Sequence, residues 1–208
     1  MSEKPLRKKI LNIKYKKVNI KDGCAINCVS MVLSYYGKEF DFKKFLKNVS
    51  CRDRGYDLLE IITQLKKMDI DIEFGFWDEE IIGKKNIKND AITQDDIKNN
   101  DDILENLRED HKNMVEFISK NQEIINFKRP SLRTIKKYID IDTPVIIHVD
   151  ISKYHDKVDD SIHSVLVAGY DKKRIYLVDP ILGRIHKPIK QVLNAWKYGG
   201  KYYLVIKK

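Results

Sequence analysis

The chain has 208 residues, with 40 Lys+Arg against 31 Asp+Glu for a formal net charge of +9, and 42% of it is hydrophobic. That length suits one domain, or one domain carrying an insertion, and the composition suits a packed core under a solvated surface. No apolar run approaches the ~20 residues that cross a bilayer, and the basic N-terminus lacks the features of a secretion signal. An integral membrane protein and a signal-exported protein are therefore not expected. Residues 1–21 hold eight basic side chains and one acid, and residues 181–208 hold seven basic and no acidic ones, which leaves the interior net acidic. The basic ends read either as a phosphate-binding patch or as lysine-bearing sheet edges, and the alternation of Lys with Ile, Tyr and Val favours edges. No zinc finger, RNA-recognition signature or glycine-rich phosphate loop is present, so nucleic acid is not an expected partner.

Residues 10–20 read as an extended segment that ends at the turn Asp22-Gly23. A helix then starts near Cys24, because Ala25, Ile26, Val29, Val32, Leu33 and Tyr36 recur at three- and four-residue steps. Gly37 ends it. Short helices follow Asp41 and Asp57, and Ile70–Trp77 alternates as a strand. Residues 78–130 are rich in Asn, Asp, Glu, Lys and Ile, and their spacing predicts a helix over 101–127 carrying Leu104, Leu107, Met114, Val115 and Ile118 inward. This segment reads as a helical insertion. Ser131 caps a further helix, which Thr143-Pro144 breaks, and strands follow at Val145–Val149, His163–Tyr170, Arg174–Val178 and Lys201–Ile206. A short helix at Ile189–Trp196 separates the last two strands. Helices first and an antiparallel sheet second make an α+β arrangement: helical part 22–77, insertion 78–130, sheet part 131–208.

The odd count of three cysteines, Cys24, Cys28 and Cys51, argues against a disulfide framework, and the five histidines show no paired metal-ligand spacing. No metal or cofactor is expected, and a reducing, cytoplasmic setting fits best. Cys24 opens an apolar helix, where unpaired N–H groups and partial positive charge stabilise a thiolate. It reads either as a nucleophile or as a small buried hydrophobe, and Cys28, one turn on, reads as packed. Between His163 and Asp179, two β-rich runs flank the polar turn Asp171-Lys172-Lys173, a hairpin signal that brings residues near 180 back towards His163. A carboxylate beside that imidazole holds one tautomer and favours the protonated ring. His148 reads as a core residue of a central strand, while Tyr154 and His155 fall in a polar loop spanning 150–162.

Cys24-Ala-Ile-Asn-Cys-Val-Ser-Met-Val-Leu-Ser-Tyr-Tyr-Gly37 resembles the nucleophile helix of the bacteriocin-processing, double-glycine leader peptidases and their papain-like relatives, and Cys28 matches the pattern too. His163 opening an apolar strand, Gly169-Tyr-Asp171, and Asp179-Pro180 sixteen residues after the histidine also fit, as do Thr143–Val149 and Trp196. The resemblance covers about 24–77 and 131–208. It implies a papain-like fold in a single domain over 1–208, with Cys24 as nucleophile, His163 as general base and acid, and Asp179 orienting His163. The implied chemistry is thiolate attack on a peptide carbonyl through a thioester, acting on a peptide or protein substrate. Association with a transporter is left open.

Three departures stand out. The family glutamine that donates to the oxyanion, six residues before the cysteine, is Val18 here; Asn19, one residue later, is the candidate replacement. The family Asp-Cys-Gly is Gly23-Cys24-Ala25, and residues 78–130 have no counterpart in the compact family domain. Besides the peptidase, the sequence leaves open an acyl or peptidyl transferase on the same triad, and a non-catalytic peptide-binding domain that keeps the fold.

Overall fold

A computed structural model describes residues 8–16, 23–52, 55–82, 93, 97, 109–155 and 161–208. The N-terminal part runs β1 (Lys9–Ile10), α1 (Cys24–Tyr35), α2 (Phe42–Leu46), β2 (Cys51–Arg52), β3 (Gly55–Tyr56), α3 (Leu58–Lys67), β4 (Ile72–Gly75) and α4 (Glu79–Ile82). Next come α5 (Glu109–Lys120), a single 3-10 turn (Gln122–Ile124) and β5 (Ile125–Asn126). The rest is α6 (Leu132–Asp140), β6 (Val145–Asp150), α7 (Ile151–His155), β7 (Ile162–Tyr170), β8 (Arg174–Asp179), β9 (Gly183–Pro188), α8 (Ile189–Tyr198) and β10 (Tyr203–Ile206).

Local signals explain the helix boundaries. The Asp41 side chain accepts from Lys44 N–H at 3.1 Å, and Asp57 accepts from Leu59 N–H at 2.8 Å, so α2 and α3 each begin on a carboxylate cap. Ser131 and Thr134 form a reciprocal capping box at α6. Gly37, at φ 71°, lets the chain turn away after α1. Helix α1 is apolar nearly all round, with Ile26, Cys28, Val29 and Val32 at 0% exposure, as expected of a helix enclosed by protein.

One sheet carries the fold, in the order β5-β4-β10-β6-β7-β8-β9, with β1 added to the far end of β7. Its pairs are antiparallel except β4–β5, which is parallel. Every residue of β7 after Ile162 is buried, so both faces of this central strand are covered. α1 packs on β7, β6 and β10, and α8 packs on β6 and α7. Gly169 admits β1: a Cβ there would lie 2.4 Å from Lys9 O and 2.8 Å from Ile10 Cα.

Several elements differ from the sequence expectations. The helix expected over 101–127 spans Glu109–Lys120 within the described residues, and Leu104 and Leu107 lie outside them. It stops because Asn121 turns back, its side chain donating to Phe117 O at 2.8 Å, after which β5 joins the sheet beside β4. Glu73 of β4 clamps this junction, accepting from Asn126 Nδ2 at 2.7 Å, from Tyr203 O–H at 2.8 Å and from the Tyr138 hydroxyl. The polar stretch after Asp150 contains α7, whose start Asp150 caps by accepting from Lys153 N–H at 3.1 Å. Strand β9 went unpredicted because Arg184, His186 and Lys187 hide its pattern; as an edge strand it needs apolar residues on one face only.

Candidate active site

Three elements converge at one end of the sheet. α1 supplies Cys24 as its first residue, β7 supplies His163 as its second, and β8 ends on Asp179. The β7–β8 ladder pairs Leu166 with Val178, so folding back around Asp171–Lys173 returns Asp179 to the His163 end. His163 Nε2 lies 3.2 Å from Asp179 Oδ1, and the two side chains are only 3% and 0% exposed. Asp179 Oδ1 also accepts from Ile181 N–H at 2.8 Å and Leu182 N–H at 3.1 Å, the Asx-type turn that an Asp-Pro pair starts. The turn therefore aims the carboxylate. With Nε2 on Asp179, the other ring nitrogen, Nδ1, is left for the Cys24 thiol, with which His163 interacts by hydrogen bond and by charge.

Cys24 is partly exposed, and its sulfur accepts from Ser164 N–H at 3.5 Å. Burial pushes this thiol up, but the hydrogen bond and positive charge of His163, together with Ser164, outweigh it and hold Cys24 below the ordinary thiol value. For His163, burial works against the charged ring. The hydrogen bonds and negative charges of Asp179 and Cys24 prevail and raise it to about 9. Burial likewise raises Asp179, yet His163 and the two turn N–H groups bring it below the usual carboxylate value. All three shifts favour a thiolate–imidazolium pair over two neutral groups. Cys28 goes the other way: buried, and facing the negative charge of Cys24 and Asp179, its thiol is raised well above the ordinary value and donates to Ser164 O at 3.5 Å.

The Peptidase_C39 like family model matches residues 10–204. The chain belongs to this family. Among curated proteins none matches the sequence. Solved structures with the same fold include a Bacillus anthracis protein described as a C39-like peptidase, at 15% identity and TM-score 0.58, covering 97% of this chain and 98% of that one. A double glycine motif protease from an AMS/PCAT transporter, in complex with the leader peptide, aligns at 14% identity and TM-score 0.51 over 99% and 97% of the two chains. The peptidase domain of Streptococcus ComA, a bi-functional ABC transporter of a quorum sensing pathway, aligns at 12% and 0.52 over 96% and 98%. The fold of this C39-like chain is accordingly the mixed α+β, papain-like one of those peptidase domains.

Of the residues singled out from sequence, Cys24, His163 and Asp179 come together, whereas Asn19 and Val18 lie outside the described residues. Cys51 sits exposed on β2. His148 lies in β6 with its Nε2 buried, and burial together with the nearby His163 charge depresses it to about 4. The segment carrying Asn12, Ile13 and Tyr15 is pinned beside Asp179: Tyr15 O–H donates to Pro180 O at 3.1 Å, while Arg184 donates to Asn12 Oδ1 at 3.3 Å and to Ile13 O. The two basic ends of the chain thus meet in part at the β8–β9 turn. Ser164 carried no signal in the sequence, because it acts largely through its backbone. The turn amides of Ile181 and Leu182 were readable in principle from Asp179-Pro180. Among the described residues no helix is long and apolar enough to cross a membrane.

Proposed function

We propose that this chain is a papain-like cysteine peptidase that cuts one specific class of peptide bond, working as a single domain over 1–208 in a cytoplasmic setting. The observation that carries the reading is the buried contact of His163 with Asp179 at the mouth of α1, beside a Cys24 whose thiol lies below its ordinary value. In this mechanism the Cys24 thiolate attacks the peptide carbonyl carbon, and the C=O π pair moves onto oxygen. The backbone N–H groups that open α1 have no intrahelical partners, so they receive that oxyanion; Asn19 is the proposed side-chain donor in place of the family glutamine. The oxyanion collapses, the C–N bond breaks, and the His163 imidazolium gives its Nδ1 proton to the leaving amine. A thioester to Cys24 remains. Neutral His163 then takes a proton from water as the water oxygen attacks the thioester, and collapse releases the acid and restores the thiolate–imidazolium pair. Asp179 keeps its charge throughout and fixes the ring orientation.

The double glycine motif protease bound to a leader peptide supports a peptide substrate with small residues at the cut. Gly-Gly-ending leader peptides are therefore the first substrates to offer. Cleavage at that bond, lost in Cys24→Ala, is the expected result. Should folded protein alkylate Cys24 with iodoacetamide no faster than a model thiol, the peptidase reading fails. Val18 at the family glutamine position favours one second reading, a peptide-binding domain of the same fold, which predicts leader binding without turnover.

A further inference from the structure

Behind the His163–Asp179 contact, two buried polar atoms lack hydrogen-bond partners among the described residues: Asp179 Oδ2 and the hydroxyl of Tyr154. They are complementary, one an acceptor of an ionised carboxylate and the other a phenol donor. Tyr154 is the fourth residue of α7, is 0% exposed, and has its ring centroid 6.3 Å from that of His163. Its hydroxyl interacts with Asp179, without reaching hydrogen-bond geometry. The ring is held on several sides. His155 packs edge-on at 4.4 Å between centroids and Lys187 Nζ of β9 lies 4.7 Å above the ring, while Gln191 of α8 donates to the main-chain carbonyl of Tyr154 at 3.3 Å. Nothing about that packing needs the hydroxyl, and burying a donor and an acceptor unmatched is costly when both can be satisfied by meeting.

We propose that Tyr154 is a positioning residue of the site: its O–H closes on Asp179 Oδ2 and locks the carboxylate so that Oδ1 stays on His163 Nε2. This deepens the peptidase reading and rests on it. Oδ1 already receives His163 and two turn amides, while Oδ2 receives none among the described residues, so one more donor fixes the carboxylate plane. Without it the desolvated carboxylate gains proton affinity and turns more freely, and the thiolate–imidazolium pair it supports weakens. The groups bearing on that pair and its carboxylate are Cys28 of α1, His148 of β6 and Tyr154 of α7, while His155 of α7 and Lys187 of β9 lie against the Tyr154 ring. Burial, with Asp179 next, pushes the Tyr154 phenol far above its ordinary value, so it remains a donor across the working pH range.

The test follows Cys24 alkylation by iodoacetamide against pH in the full chain, read by mass spectrometry so that Cys51 is counted separately. Tyr154→Phe keeps the ring and its packing. The expected result is that the acid limb of Cys24 alkylation moves up by ~0.5 pH units, with a roughly threefold slower rate on that limb and a small fall in thermal stability from the unmatched Oδ2. Replacing the phenol by 4-aminophenylalanine, which keeps a donor, restores the limb. A Tyr154→Phe limb that superimposes on the parent profile overturns the proposal while leaving the peptidase reading intact. A parent chain with no enhanced alkylation overturns the peptidase reading itself. Should Tyr154→Phe fail to fold, the parent protein decides: a Tyr154 hydroxyl proton slow to exchange with solvent is expected, and rapid exchange overturns the proposal.

Discussion

Cys24 and Cys28 stand one turn apart on α1, and both sulfurs touch the backbone of Ser164, yet their chemistry diverges. Cys24 accepts from the Ser164 N–H and sits below the ordinary thiol value, whereas Cys28 donates to the Ser164 carbonyl and sits well above it. The helix end contributes to the difference, since its field fades within the first turn. Burial acts upward on both. What separates them is the β7–β8 hairpin, which sets a charged His163 against the first cysteine, while the second, fully enclosed, meets the negative charges of Cys24 and Asp179. The lowered Cys24 thiol is therefore a product of the sheet acting on a helix end, and helix position alone does not lower one this way.

The contrast is broken most sharply by removing the thiol groups. Cys24→Ala should abolish peptide cleavage, a loss above ~10³-fold in kcat, whereas Cys28→Ala should keep activity within a few fold and cost ~1 kcal/mol of stability, read by denaturant unfolding. Asp179→Asn comes next. It leaves the turn largely able to form but removes the charge that holds the imidazolium, and kcat should fall by ~10²- to 10⁴-fold with the thiolate population at neutral pH falling in step. The pH profile sharpens the same point. His163 is raised from 6.5 to about 9, so cleavage should decline as pH rises through about 9, when the acid for the leaving amine is lost. On the acid side, activity should persist below the ordinary thiol range and fall only as Cys24 takes up its proton. The same raised value favours the folded state: that contribution is complete below pH 6.5 and fades as pH climbs through about 9 in thermal-unfolding measurements. The smallest effect belongs to Ser164→Ala. The backbone contacts to both sulfurs survive and only the hydroxyl near Cys24 is lost, so Cys24 alkylation should slow by about two- to threefold.

How much of this was legible beforehand depends on where each signal lives. The α1 stripe, the Asp41, Asp57 and Ser131 starts, and the β6, β7 and β8 runs are local patterns, and each appears within a residue or two of its expected place. The hairpin turn at Asp171–Lys173 was enough to draw Asp179 towards His163, because register follows from a turn once its strands are known. The stretch after Asp150 failed as a reading, since five residues of helix carry too little periodicity to stand out from a polar loop. β5 failed for a related reason. Two residues pair with β4 only because Glu73, Tyr138, Asn126 and Tyr203 meet, and they come from four separate elements.

The sequence by itself determined which residues bring thiol, imidazole and carboxylate groups, where the helix α1 begins, and that a histidine and a carboxylate occupy mirrored ends of one hairpin. Those properties depend on side-chain type and on neighbours close in the chain. The tertiary structure alone decided that α1 is laid against β7 so that Ser164 meets both sulfurs, that Oδ1 of Asp179 is claimed by three N–H donors, and that Tyr154 lies buried behind Oδ2. Such contacts join residues up to 140 positions apart, and no local pattern encodes them. They exist because packing a helix and a sheet to protein density leaves each polar group very few places to find its partner.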